Sequence, residues 1–250
     1  AFRKPREINW VFGFVLALLA IIEGFAGYSL PDDLLSGTGI RAMAGFMQSA
    51  PVIGSYMTFF IFGGEFPGEL IIPRLFIAHV LLIPALLVGL FTAHIFLVFL
   101  HKHTHFNAPG RTEKNVVGYP FMPVYIAKAG GFFFIVFGVT ALISALVTIN
   151  PVWAYGPYDP TQVTAGSQPD FYMWFSDGAL RLLPGWLEFE LFGFTVSPQI
   201  FLGSLVLLPL VFVVLGAYPF VEAWITGDKR EHHVLDRPRN APVRTAVGAA

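Results

Sequence analysis

The 250-residue chain is 55% hydrophobic and 16% aromatic but only 12% charged, with a net charge of −1 and a mean hydropathy of +0.67. A soluble domain carries about a quarter charged residues, so the composition excludes an ordinary soluble domain, and the near-neutral charge indicates no nucleic-acid partner. The absence of cysteine excludes disulfides, thioether haem attachment and Cys-ligated iron–sulfur clusters within this sequence.

Basic residues Arg3, Lys4 and Arg6 precede the first apolar run. That run is too long for a secretory signal and carries no small-residue cleavage site. With Ala1 at one end and Thr245-Ala-Val-Gly-Ala-Ala entering an apparent further apolar segment, the sequence is expected to be an internal piece of a longer protein.

Four apolar runs follow in order. Residues 10–30 contain one charge, Glu23; residues 71–100 contain Arg74 near the start and Pro84 inside; residues 130–149 contain none; residues 200–225 contain Pro209, Pro219 and Glu222. Each reaches the roughly 20 residues that a helix rising ~1.5 Å per residue needs to cross hydrocarbon. The expected fold class is therefore an all-α membrane protein with four transmembrane helices. Of the lysines and arginines, 12 lie in residues 1–9, 101–129 and 226–250, against three (Arg41, Arg74, Arg181) in the other loops. The positive-inside rule places those three segments in the cytoplasm. The outer loops, about residues 31–70 and 150–199, are long and partly apolar, which predicts short interfacial helices roofing a site.

His79 and His94 sit inside the second run. Their separation corresponds to about 22 Å of rise and about 60° of rotation, which sets them on roughly one face, one near each leaflet. Two cofactors stacked across the membrane would each need such an imidazole; two packing histidines bonded to neighbouring helices are the alternative. Gly13 and Gly27 repeat nearly the same interval in the first run, and glycine admits either a flat ring or a neighbouring helix. Glu23 is an intramembrane carboxylate, hence a functional candidate, with pairing to Arg41, Arg74 or Arg181 as the alternative. In the second outer loop Pro169-Asp-Phe-Tyr172 is followed by Asp177 and Arg181. A carboxylate beside aromatic residues there suits proton acceptance from a hydroxylated ring, or the N-terminus of a proline-led interfacial helix. The loop histidines 101, 103, 105, 232 and 233 read as solvated side chains, with a metal site as the alternative, and are assigned no role.

Together these residues resemble cytochrome b of the quinol:cytochrome c reductase family. Gly27-Tyr-Ser-Leu-Pro31 is similar to the end of the family's helix C. Pro51-Val-Ile-Gly54 resembles its surface-helix signature, and Arg74 stands five residues before the first histidine as the family places it. Pro169-Asp-Phe-Tyr172 resembles the Pro-Glu-Trp-Tyr quinol motif. Pro31-Asp-Asp-Leu-Leu-Ser-Gly37 and Gln168-Pro-Asp-Phe-Tyr-Met173 resemble the actinobacterial branch.

The resemblance implies that the four runs are helices C to F. Residues 1–103 would then belong to the haem-binding bundle, and residues 104–250 to the quinol-site and C-terminal region. It implies two b-type haems, with His79 on the outer and His94 on the inner iron, and the second axial histidine of each outside this sequence. Gly13, Gly27, Arg74 and Lys128 would contact cofactors. Asp170, Tyr172, Asp177 and Glu23 would serve the outer quinol site. It further implies menaquinol as substrate, bifurcated oxidation with quinone reduction at an inner site, and proton translocation. The implied partners are a Rieske iron–sulfur subunit, a cytochrome c subunit, a cytochrome oxidase supercomplex, a second cytochrome b and membrane lipid, all at the plasma membrane.

Three departures stand out. The histidine interval is 15 where many relatives have 14, Asp170 and Asp177 replace the motif's glutamate and a later tyrosine, and Ala129 follows Lys128 where the family has aspartate. The extra residue is expected to form a local bulge near Pro84, where the backbone already lacks a donor. A cofactor-free transporter or proton channel using Glu23 and the histidines is the rival reading. An internal repeat would favour it, and none is found. A purely structural membrane subunit would not explain the paired histidines.

Overall fold

A computed structural model describes residues 2–115, 118–168 and 174–249. Among these residues, four helices are long and apolar enough to cross a membrane: α1 (Glu7–Tyr28), α4 (Ile71–His101), α5 (Phe121–Leu146) and α7 (Pro198–Thr226). Between α1 and α4 lie the short helices α2 (Leu34–Gln48) and α3 (Gly54–Phe62). Helix α6 (Trp174–Leu182) and a hairpin of β1 (Phe189–Leu191) and β2 (Phe194–Val196) lie between α5 and α7, and α8 (Pro242–Ala249) follows. The multi-pass membrane architecture is the expected one. The hairpin was not expected; its tight turn around Phe192-Gly193, both at positive φ, carries no strong two-residue turn signal such as Asn-Gly.

Helix α1 packs along α4 on one side and α7 on another. Pro219 lies inside α7 and has no N–H to offer the carbonyl four residues back, yet that carbonyl, on Leu215, accepts the Trp10 indole N–H at 2.8 Å. Helix α5 begins earlier than the uncharged run suggests. Lys128 falls within it and lays its ammonium 4.1 Å from the Tyr119 ring centre, so the charge is accommodated by a long, flexible stem. The helix stops at Leu146, where Val147 turns to extended backbone, and β-branched Thr148 and Ile149 then lead to Asn150, at positive φ, before Pro151.

The outer roof has local causes. Asp33 caps α2 by accepting from Ser36 N at 2.8 Å, while Ser36 Oγ accepts from Asp33 N at 3.0 Å, a reciprocal capping box. Helix α3 stops at Gly63, whose φ of +75° most side chains avoid. Ile40, Ala44 and Met47 of α2 then bury against Phe62 of α3 and Ile71 of α4. The second outer loop is tied to this roof: Leu34 N donates to Gly156 O and Tyr158 N to Asp32 O, both at 3.1 Å, and the Tyr158 ring covers Gly37.

At the inner end Arg6, 6% exposed, donates to the carbonyls of His101, Lys102 and His232 at 2.7–2.8 Å. One guanidinium therefore joins the start of α1, the end of α4 and the segment after α7.

Candidate functional site

The first and second spans run antiparallel, and their glycines meet their histidines. Gly27 lies against His79, close enough that a Cβ would overlap the imidazole and stand 2.8 Å from Nε2. Gly13 lies against His94, where a Cβ would stand at an ordinary 3.7 Å from Cε1. The 14-residue interval on α1 is close to four full turns, so both glycines occupy one stripe.

The longer interval on α4 is absorbed by the backbone. Residues Ala78–Leu82 form a π turn, closed by Ile83 N–H on Ala78 O, immediately before Pro84. The wide turn takes up one extra residue and restores the phase of about 14 residues. The bulge expected near Pro84 is present, beginning one residue before His79.

Glu23 sits one turn before Gly27 on the same face of α1. Its carboxylate Oε1 lies 3.0 Å and its backbone carbonyl 3.2 Å from His79 Nδ1. Both are acceptors, so in the neutral ring the proton sits on Nδ1 and the lone pair on Nε2. None of the three arginines considered as partners reaches Glu23. Arg41 bonds the carbonyls of Pro160 and Gln162, and Arg181 pairs with Asp177 at 2.7 Å. Arg74 donates to the carbonyls of Phe60 and Ile61, capping the C-terminus of α3.

Asp177 and Arg181 form an exposed pair one turn apart on α6, in which the hydrogen bond and charge of Asp177 raise the Arg181 pKa. Asp170 and Tyr172 lie outside the described residues. Near Lys128 the rings of Phe121 and Tyr125 stack, and the Tyr125 hydroxyl meets His103 Nε2 at 3.1 Å. Of the other loop histidines, His232 meets Asp228 at 3.1 Å. Among the described residues no group of three or more His, Cys, Asp or Glu side chains is placed to hold a metal ion.

The sequence reading did not single out Trp10, Arg6 or the pair Glu222–Arg244, in which a carboxylate 8% exposed meets a guanidinium at 2.5 Å. An intramembrane carboxylate was signal enough for Glu222. Nothing local marks Arg6 or Arg244, because their partners lie on distant segments.

The family profile described as "Cytochrome b(N-terminal)/b6/petB" matches residues 1–157. The chain belongs to this cytochrome b family. A curated relative, the cytochrome bc1 complex cytochrome b subunit of Streptomyces coelicolor, is 59% identical over all of this chain and 46% of its own length. The subunit of the same description from Mycobacterium tuberculosis strain H37Rv is 51% identical over all of this chain and 45% of its own length. The cytochrome b chain thus spans about half the length of these relatives. A solved structure titled "Hyperthermophilic respiratory Complex III" aligns with a TM-score of 0.65 at 21% identity, over 88% of this chain and 56% of that one; at that identity it speaks for the fold.

Family membership implies b-type haem, and the geometry fits it. Each histidine faces a glycine that keeps a side chain from crowding the imidazole: a Cβ on Gly27 would overlap the His79 ring, and one on Gly13 would stand 3.7 Å from His94 Cε1. His79 Nδ1 is held by acceptors, the arrangement that leaves Nε2 for iron. His94 Nδ1 is buried with no partner.

Proposed function

We propose that this cytochrome b chain carries electrons from menaquinol across the plasma membrane within a respiratory quinol:cytochrome c reductase. The observation that supports it best is the matched pair of glycine–histidine contacts along one antiparallel helix interface, at opposite ends of the span. In this reading His79 and His94 would each hold one b-type haem. Bound haem supplies reversible one-electron transfer.

The chain's own residues do the rest. Gly13 and Gly27 keep backbone, not side chain, beside the ligand rings. The π turn before Pro84 brings the two imidazoles onto one face. Asp170 accepts a proton from quinol under the outer roof, Tyr172 positions it, and Asp177 stands in reserve beside Arg181. Lys128, with Tyr119 beneath its ammonium, lines an inner quinone site. The overall reaction divides two electrons between a Rieske iron–sulfur subunit and the inner quinone, releasing protons outside and taking them up inside. A cytochrome c subunit, a second cytochrome b, a cytochrome oxidase supercomplex and lipid complete the proposed surroundings. Residues 1–9, 101–129 and 226–250 face the cytoplasm.

An absorption spectrum of the purified full-length protein tests this reading. Bands of b-type haem that a menaquinol analogue reduces are expected. A protein without haem bands overturns it and favours a cofactor-free proton channel.

A further inference from the structure

We infer that Glu23 is a positioning residue for the outer haem ligand, fixing the orientation of His79 and adding a negative charge to that site alone. The inference rests on the proposal that His79 ligates haem.

Four observations carry it. The Glu23 side chain is only 20% exposed inside an apolar helix, and its Oε1 lies 3.0 Å from His79 Nδ1. Its own backbone carbonyl lies 3.2 Å from the same nitrogen, so one residue supplies both acceptors. Its second oxygen, Oε2, is buried without a partner, so no arginine, lysine or second donor compensates the charge among the described residues. A carboxylate left in that state within a membrane helix is costly, and its one polar engagement is the histidine.

The inner half is built differently. The position equivalent to Glu23, four residues before Gly13, is the neutral Asn9, whose Oδ1 is buried without a partner, as is His94 Nδ1. The two histidines therefore share a glycine neighbour but not an anionic one.

The consequence follows from ligand chemistry. An anionic acceptor on Nδ1–H fixes the ring, makes Nε2 more basic and favours the more positive oxidation state of a bound iron. Glu23 thereby lowers the reduction potential of the outer haem relative to the inner one, the direction that favours passing electrons inward.

The test uses full-length cytochrome b in its native membrane complex, with redox titration of each haem and low-temperature electron paramagnetic resonance as readouts. Glu23→Gln keeps an acceptor and removes the charge. The expected result is both haems retained, an unchanged low-spin signal, and an outer-haem reduction equilibrium shifted toward the reduced form by tenfold or more, about 59 mV for a one-electron couple. Glu23→Leu removes the side-chain acceptor and the charge but keeps the backbone carbonyl; the expected result is the same upward shift with an altered outer low-spin signal. The inner haem keeps its parental potential in both. Parental potentials and signals in both variants overturn the inference, as does an equal shift of both haems. Should Glu23→Leu fail to assemble, the potential of the near-isosteric Glu23→Gln decides. A His79→Leu variant made in parallel separates the two levels. Its retention of both haems overturns the ligand assignment itself, whereas loss of one haem there with no shift in Glu23→Gln overturns only the role of Glu23.

Discussion

Gly27 places a hydrogen atom where the imidazole of His79 lies, and a methyl group there would overlap the ring. Gly13 faces His94 less tightly, with 3.7 Å available between an added Cβ and Cε1. The two glycines therefore differ in tolerance. Gly27→Ala is expected to displace the His79 ring and cost the outer haem, while Gly13→Ala keeps both. Haem content per polypeptide, measured as the pyridine haemochrome, separates the outcomes; equal loss in both variants would contradict the geometry.

Trp10 donates its indole N–H to the Leu215 carbonyl that Pro219 leaves without its usual helical partner. Trp10→Phe keeps an aromatic side chain and removes the indole donor, which for this exposed bond is expected to cost on the order of 1 kcal/mol. In a Pro219→Ala background position 219 regains an N–H, so the same substitution should cost much less. Thermal denaturation of the four proteins of this double-mutant cycle gives the coupling directly. Strict additivity would show that the value of the bond does not depend on Pro219.

Arg244 reaches back to Glu222 in α7, a carboxylate only 8% exposed. Removing the guanidinium strands a buried charge, whereas neutralising the carboxylate does not. Arg244→Ala is expected to destabilise by about 2 kcal/mol, reduced from the fully buried figure because the arginine is partly exposed. Glu222→Gln in that background should recover part of the loss, read as the midpoint of thermal unfolding in detergent.

The four spans were legible because a hydrocarbon-crossing helix needs a long apolar run that little else imitates. The histidine–glycine stripes were legible because helical spacing alone sets which residues share a face. Even the π turn followed from an interval one residue too long beside a proline. Helix α5 begins before the uncharged run because the long stem of Lys128 lets a charge sit inside a helix. The partner of Glu23 was not legible: choosing His79 over three arginines requires the register of two helices, which no local pattern encodes. Arg6 escaped for the same reason, its three carbonyl acceptors coming from two distant segments.

Asp170 is proposed to take the proton of the outer quinol, and Asp177 already shares a proton-rich partner in Arg181. An acceptor needs an accessible lone pair, and Asp177 already has a carboxylate oxygen engaged by the Arg181 guanidinium at 2.7 Å. Asp170→Asn should retain both haems and slow quinol oxidation at least tenfold, while Asp177→Asn should slow it only a few-fold. Steady-state turnover with a menaquinol analogue measures both. Parental turnover in Asp170→Asn together with a large loss in Asp177→Asn would reverse the two roles.

The central claim is that His79 and His94 hold two different haems, and the haem count of single-histidine variants tests it most directly. In the full-length protein, His79→Leu and His94→Leu are each expected to lose one b-type haem of two and to keep the helical content of the parent. The residual haem in each variant should show a different reduction potential, since a different site survives. Both haems retained in either variant, or the same haem lost from both, would contradict the account.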